Sequence, residues 1–144
     1  MSNESHYRRL ENMMHSAPLV ELTGARVRIG ERTAEIVMPV KPQFFHAAGA
    51  LHGALYFMAL DNAAFFAVNS MVDDVFVLTT SFTIYLTRPV SEGTLKAVGR
   101  VVNHTRNQYI AESVLCDAEG RELARGSGVF VRSKIQLTES IGYK

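Results

Sequence analysis

The sequence predicts an α+β fold: one antiparallel sheet wrapped around a single long buried helix. Three observations carry this reading. The stretch "LHGALYFMALDNAAFF" (51–66) is an apolar run with no polar face, and a helix apolar all round is a core helix when it does not cross a membrane. Segments of alternating apolar and polar residues precede and follow it, and each is bounded by turn residues. The chain has 144 residues, enough for one domain with a real hydrophobic core.

The elements follow in order. His6 to His15 carries Tyr7, Leu10 and Met13 or Met14 at helical spacing, and Pro18 is expected to end that helix, so that 1–18 forms an N-terminal helical segment. "LVELTGARVRIGERTAEIVMPV" alternates in two runs around Gly30-Glu31. It reads as a hairpin of strands Val20 to Arg28 and Thr33 to Val40. "KPQFFHAAGA" is a loop, and the central helix runs from about Leu51 to Ser70.

Four strands come next, expected as an antiparallel meander. "VFVLTTSFTIYLTRP" puts Phe82, Ile84 and Leu86 on one face and Thr83, Tyr85 and Thr87 on the other. "TLKAVGRVVNH", "QYIAESVLC" and "ELARGSGVFVRSK" complete the set, the last two joined through the turn "DAEGR". Residues 137–144 have no periodicity and are expected to fray.

Composition excludes several classes. Apolar residues make up 47% and charged residues 20%, which is globular rather than disordered. A net charge of +1 supplies no field that would attract nucleic acid or an anionic membrane. The single cysteine, Cys116, allows no intrachain disulfide and fits a reducing compartment. The polar start "MSNESHYRRLENMMHSAP" has no apolar h-region, so the expectation is a cytoplasmic protein. Ala47 to Val68 is long enough to span a bilayer. However, His52, Asp61 and Asn62 interrupt it, and an aspartate near the centre of a span is costly.

Asp61 is the residue that most needs a reason. In mid-helix the backbone donors are already taken, so a local cap is a poor explanation. It could instead face a water-filled seam between subunits. Burying an unpaired carboxylate costs several kcal/mol or raises its pKa, and a desolvated carboxylate is suited to act as general base or nucleophile.

Gly49 and Gly53 flank the start of the same helix, where unpaired N–H groups favour developing negative charge. The Gly53 N–H could therefore polarise a carbonyl, although glycines there also simply permit close packing. Gly53 and Asp61 are eight residues apart, or roughly 12 Å along one helix. They cannot meet at one acyl carbon within one chain. If both act, Asp61 must come from a second copy whose helix runs antiparallel.

Other signals are weaker. His46 and His52 have no third ligand at metal spacing. No serine occupies a nucleophile elbow, and the glycines match neither a dinucleotide fingerprint nor a P-loop. Arg88, Arg106 and Lys96 could meet phosphates, or could simply be solvated turn residues. The aromatics Phe44, Phe45, Tyr56, Phe57, Phe65 and Phe66 could line an apolar pocket or fill ordinary core.

"GALHGALYFMALDNAAFFAVNS", "TTSFTIYLTRPVSEGTLKAVGRVV" and "EGRELARGSGVFV" together resemble the hotdog-fold acyl-CoA thioesterases of the phenylacetyl-CoA type. The likeness runs from about Val20 to Arg132. It implies a hotdog fold and hydrolysis of a thioester to a carboxylic acid and free coenzyme A. No cofactor is implied, because coenzyme A is part of the substrate. By the same resemblance, the Gly53 N–H holds the carbonyl oxygen and Asp61 acts across a homodimer interface. A strand Ser or Thr, counted back from Pro89, falls on Thr79, with Thr80 as the alternative.

His52 matches the motif histidine that orients the loop. Members form dimers, often dimers of dimers, with coenzyme A along the interface, where Arg88 and Arg106 could reach its phosphates. Two positions depart from the pattern. Ala54 replaces the motif's second glycine, and His46 stands where relatives often have Asn, a place that can orient the thioester carbonyl or the water. Two other readings remain: a hotdog protein that binds acyl-CoA without turnover, and a hotdog dehydratase or hydratase using His46 or His52.

Overall fold

The structure is a computed structural model that describes residues 3–144. Met1 and Ser2, part of the expected 1–18 segment, lie outside the described residues. The elements are α1 (Asn3–His15), α2 (Pro18–Thr23), β1 (Arg26–Gly30), β2 (Thr33–Pro39), α3 (Gly53–Asn69), β3 (Val75–Leu86), β4 (Thr94–His104), β5 (Tyr109–Cys116) and β6 (Glu122–Gln136). The six strands form one antiparallel sheet in the order β1-β2-β4-β5-β6-β3, which curls around α3. This is the hotdog fold. Among the described residues no helix is long and apolar enough to cross a membrane.

Three local expectations are corrected. Pro18 starts a helix rather than only ending one. It stands at the first helical position of α2, where its missing N–H would have no partner, and Gly24 closes the helix at φ 75°. The first strand therefore begins at Arg26 and not at Val20.

The expected meander holds for β4-β5-β6 only. β3 instead pairs with β6 at the far edge of the sheet, and α3, which joins β2 to β3, packs across the strands between them. Finally, residues 137–144, expected without contacts, fold back onto α1. Tyr143 is buried, and its hydroxyl lies 2.7 Å from Nδ1 of the buried His6, whose Nε2 donates to the Asn69 carbonyl at 2.8 Å. One imidazole thus ties the first helix, the tail and the end of α3 together.

Close approach of α3 to the sheet depends on small residues. Ala59, Ala63, Ala64 and Ala67 are fully buried along the helix. A Cβ on Gly99 of β4 would collide with the carbonyl of Ala63 and the amide of Ala64. Because backbone cannot yield as a flexible side chain can, Gly99→Ala should destabilise the protein by about 3 kcal/mol, the upper end of typical overpacking costs. Urea unfolding followed by circular dichroism measures this.

The two sheet edges are treated differently. The β1 edge is capped by α1: His15 Nε2 accepts from Val27 N–H at 2.9 Å and Glu11 Oε2 from Ile29 N–H at 2.8 Å. Arg8 donates to the Ile29 carbonyl at 2.6 Å. Positions 8, 11 and 15 share one helix face, so α1 supplies the hydrogen bonds a further strand would make. Among the described residues no element lies beyond β3. Its twelve residues end the sheet with Leu78, Tyr85 and Leu86 exposed.

Candidate active site

Asp61 lies on α3, half-buried, and accepts a 2.8 Å hydrogen bond from the Thr79 hydroxyl on β3. Burial pushes its carboxyl up from the usual aspartate range, and the Thr79 hydrogen bond pulls it part of the way back. The pair opens onto a cavity of about 630 Å³ whose remaining lining, Asn62 apart, is apolar.

Thr79 reaches Asp61 because β3 carries a bulge. Val75, Val77 and Thr79 point inward, the register slips between Thr79 and Ser81, and Phe82 and Ile84 then take the inward face. Strict alternation from Phe82 would have turned Thr80 inward instead. Thr80 is exposed, and its hydroxyl donates to the Val129 carbonyl at 3.0 Å.

Gly53 occupies a different place. It is the first helical residue of α3, after His52 at the N-cap. The Leu51 N–H donates to the Val90 carbonyl, the His52 N–H to the Phe44 carbonyl and the Tyr56 hydroxyl to the Arg88 carbonyl, all within 2.9 Å. These bonds lock the helix start against the loop after β3 and against the turn at Phe44. The Gly53 N–H belongs to the first turn and has no intrahelical acceptor. It borders a cavity of about 250 Å³ with His46, Tyr56, Leu86 and Arg88. Within one chain, then, Gly53 and Asp61 open onto separate cavities.

Of the remaining predicted residues, His46, Tyr56 and Arg88 line the Gly53 cavity, Phe65 and Phe66 line the Asp61 cavity, and the others line neither. His52 caps α3, its Nδ1 accepting from the Ala54 N–H at 2.9 Å. The cap occupies the Ala54 amide; Ala54 itself is exposed. His46 accepts from the Ala48 N–H at 3.1 Å and sits in the Gly53 cavity.

Arg88 follows β3 at the Gly53 end. Arg106 lies in the turn between β4 and β5, at the opposite end of the sheet. One chain therefore cannot bring both arginines to one phosphate. Of the six aromatics, only Phe65 and Phe66 line the Asp61 cavity, together with Phe76. Tyr56 belongs to the Gly53 cavity and Phe57 packs edge-on against Phe82. The sequence reading missed Asn62 as a site residue. Its amide has no partner among the described residues and faces the cavity beside Asp61. Its position next to Asp61 was the available signal.

The family model of the thioesterase superfamily matches residues 48–124, just over half of the chain and a span that holds Gly53, Asp61 and Thr79. The chain belongs to the thioesterase superfamily. Among its relatives is SSO2140 of Saccharolobus solfataricus, whose name assigns it provisionally to the esterases. It is 25% identical over 112 residues, 76% of this chain and 80% of that protein.

Solved structures that share the fold include two of note. PaaI of Escherichia coli, from the phenylacetic acid degradation operon, superposes with a TM-score of 0.85 over 94% of this chain and 99% of that one, at 20% identity. The thioesterase HI1161 of Haemophilus influenzae gives 0.76 over 83% and 85%, also at 20% identity.

Proposed function

We propose that this thioesterase hydrolyses acyl-CoA at sites built from two chains, with Asp61 of one and Gly53 of the other. The observation that carries the reading is the Asp61–Thr79 pair: a desolvated carboxylate held by a hydroxyl at the mouth of an apolar cavity. The uncapped β3 edge supports the second chain, since a long edge strand is a template for pairing with another copy. A two-fold pair reverses the helices and brings the Gly53 end of one to the Asp61 end of the other.

In this site the Gly53 N–H stabilises the oxyanion as the thioester carbonyl is attacked. Asp61 either takes the proton from the attacking water or attacks the carbonyl carbon itself. In the first case the proton passes on to the departing coenzyme A sulfur as the C–S bond breaks. In the second, the C–S bond breaks as coenzyme A leaves as its thiolate, and water then opens the Asp61 anhydride, which frees the acid, returns the carboxylate and gives the proton to the thiolate. Both routes need the ionised carboxylate. Arg88 of one chain and Arg106 of the other would then flank the shared site, where coenzyme A phosphates could meet them.

A thiol-trapping assay over acyl-CoA substrates tests the reading. Thioester binding without thiol release would leave a binding protein, and hydration of an enoyl-CoA would make it a hydratase. The pH profile is a sharper check. Because burial raises the Asp61 pKa, the acid limb of kcat/KM should lie above the ordinary aspartate range near ~3.9. In Thr79→Ala the hydrogen bond that favours the charged form is gone. The limb should therefore move to higher pH, and kcat should fall roughly ten- to a hundredfold.

A further inference from the structure

The cavity beside Asp61 has a polar end and an apolar end. Asp61, Asn62 and Thr79 supply all its polar side chains, and they sit together: two are consecutive on α3 and the third is hydrogen-bonded to the first. Away from them the lining is apolar, with Met58, Phe65, Phe66, Phe76 and Leu78 on one side. The other side comes from outside the stretch that matches the family: Met14, Ala17, Leu19 and Val20 from α1, α2 and the turn between them, and Ile135 and Ile141 from the end of the chain.

Leu19, Leu78, Ile135 and Ile141 rim this cavity while 50%, 43%, 47% and 36% exposed, respectively. Large apolar side chains left open around a concavity mark a binding surface. No lysine or arginine lines it.

We infer that this cavity holds the acyl tail of the substrate, and that the tail is bulky, apolar and uncharged. The wall built by α1, α2 and the C-terminal segment sets its size. The inference rests on the reading of Asp61 as the reacting carboxylate. A carbonyl at the polar end directs its substituent toward the apolar end, and about 630 Å³ lies within the range of pockets that enclose a drug-sized ligand, roughly 300–1,000 Å³. An acetyl group would leave most of that surface wet. A dicarboxylic acyl group would bury its second carboxylate without a cation to pair it. A straight alkanoyl chain and an arylalkanoyl group share the chemistry required.

The test is kcat/KM for acetyl-, butanoyl-, octanoyl-, dodecanoyl-, phenylacetyl- and succinyl-CoA, measured on the full-length protein and on Ala17→Phe and Leu19→Ser. For the unaltered protein the value should rise steeply with apolar size, by up to about fourfold per buried methylene, with succinyl-CoA lowest of its size. Filling the wall with Ala17→Phe should lower the dodecanoyl-to-butanoyl ratio at least tenfold. Leu19→Ser, at a half-exposed position that folding tolerates, should lower it severalfold.

The phenylacetyl and octanoyl arms decide between an aromatic and a linear tail. A flat dependence on acyl size, or a ratio unmoved by both variants, overturns the inference while leaving the thioesterase intact. A change of oligomeric state by light scattering with an unmoved ratio also overturns it, because a second copy would then occupy the cavity. Failure to hydrolyse any of the six would instead count against the parent reading of Asp61.

Discussion

Asp61→Asn lowers kcat for acyl-CoA hydrolysis by roughly 10²–10⁴-fold, the contribution expected of a positioned general base, and does so without unfolding the protein. Asn is nearly isosteric and can still accept the Thr79 hydrogen bond, so the geometry of the pair survives. Stability should in fact hold or rise at neutral pH. The carboxyl pKa is raised in the folded state, so the folded protein binds more protons than the unfolded chain in the interval between the two pKa values. Stability is therefore lost as pH rises through that interval, and at neutral pH the ionised Asp61 is a cost. A neutral amide removes the cost together with the activity, the trade expected of a functional site. Steady-state kinetics and a thermal melt on the same preparation check both halves. A variant that keeps wild-type turnover removes Asp61 from the mechanism.

Gly53→Pro should be nearly as damaging to turnover while sparing the helix. Gly53 is the first helical residue, where proline is accepted because the lost N–H has no helical partner. His52 before it already has φ −65° and ψ 141°, a conformation that proline requires of its predecessor. A side-chain carbon at Gly53 would lie 3.1 Å from Leu86 Cδ1, the end of a flexible side chain that can shift. What is lost is the proposed oxyanion donor, typically worth 10²–10³ in kcat.

The decisive measurement mixes this variant with Asp61→Asn. If each site draws Gly53 from one chain and Asp61 from the other, a mixed dimer has one intact site and one doubly impaired site. Random reassortment of equal amounts should restore about a quarter of wild-type activity. If both residues served one site within a single chain, mixing would restore nothing.

The fold class was legible because helix 51–66 has no polar face, and only an enclosing sheet covers such a helix once the membrane is set aside. Asp61 and Gly53 were legible as candidates because each conflicts with its local setting, a carboxylate in an apolar run and an N–H donor with nothing to shield it. Their separation by eight residues implied two half-sites, and the structure opens them onto separate cavities. The pairing of β3 with β6 was not legible, since alternation specifies which face a strand buries but not which neighbour it takes. Nor was the role of Pro18, which one sequence pattern presents equally as a stop and a start.

The sequence by itself determined the buried helix, the strand faces and the residues able to do chemistry, because each follows from local periodicity and from the cost of burying charge. The resemblance put Thr79 ahead of Thr80, but only the tertiary structure supplied the reason that Thr79 meets Asp61: one extra residue in a bulge reverses every side chain beyond it. The tertiary structure also decided that the two ends of the chain, distant in sequence, close one wall of the Asp61 cavity. Contacts between segments more than a hundred residues apart are set by packing around the core, and no local pattern encodes them.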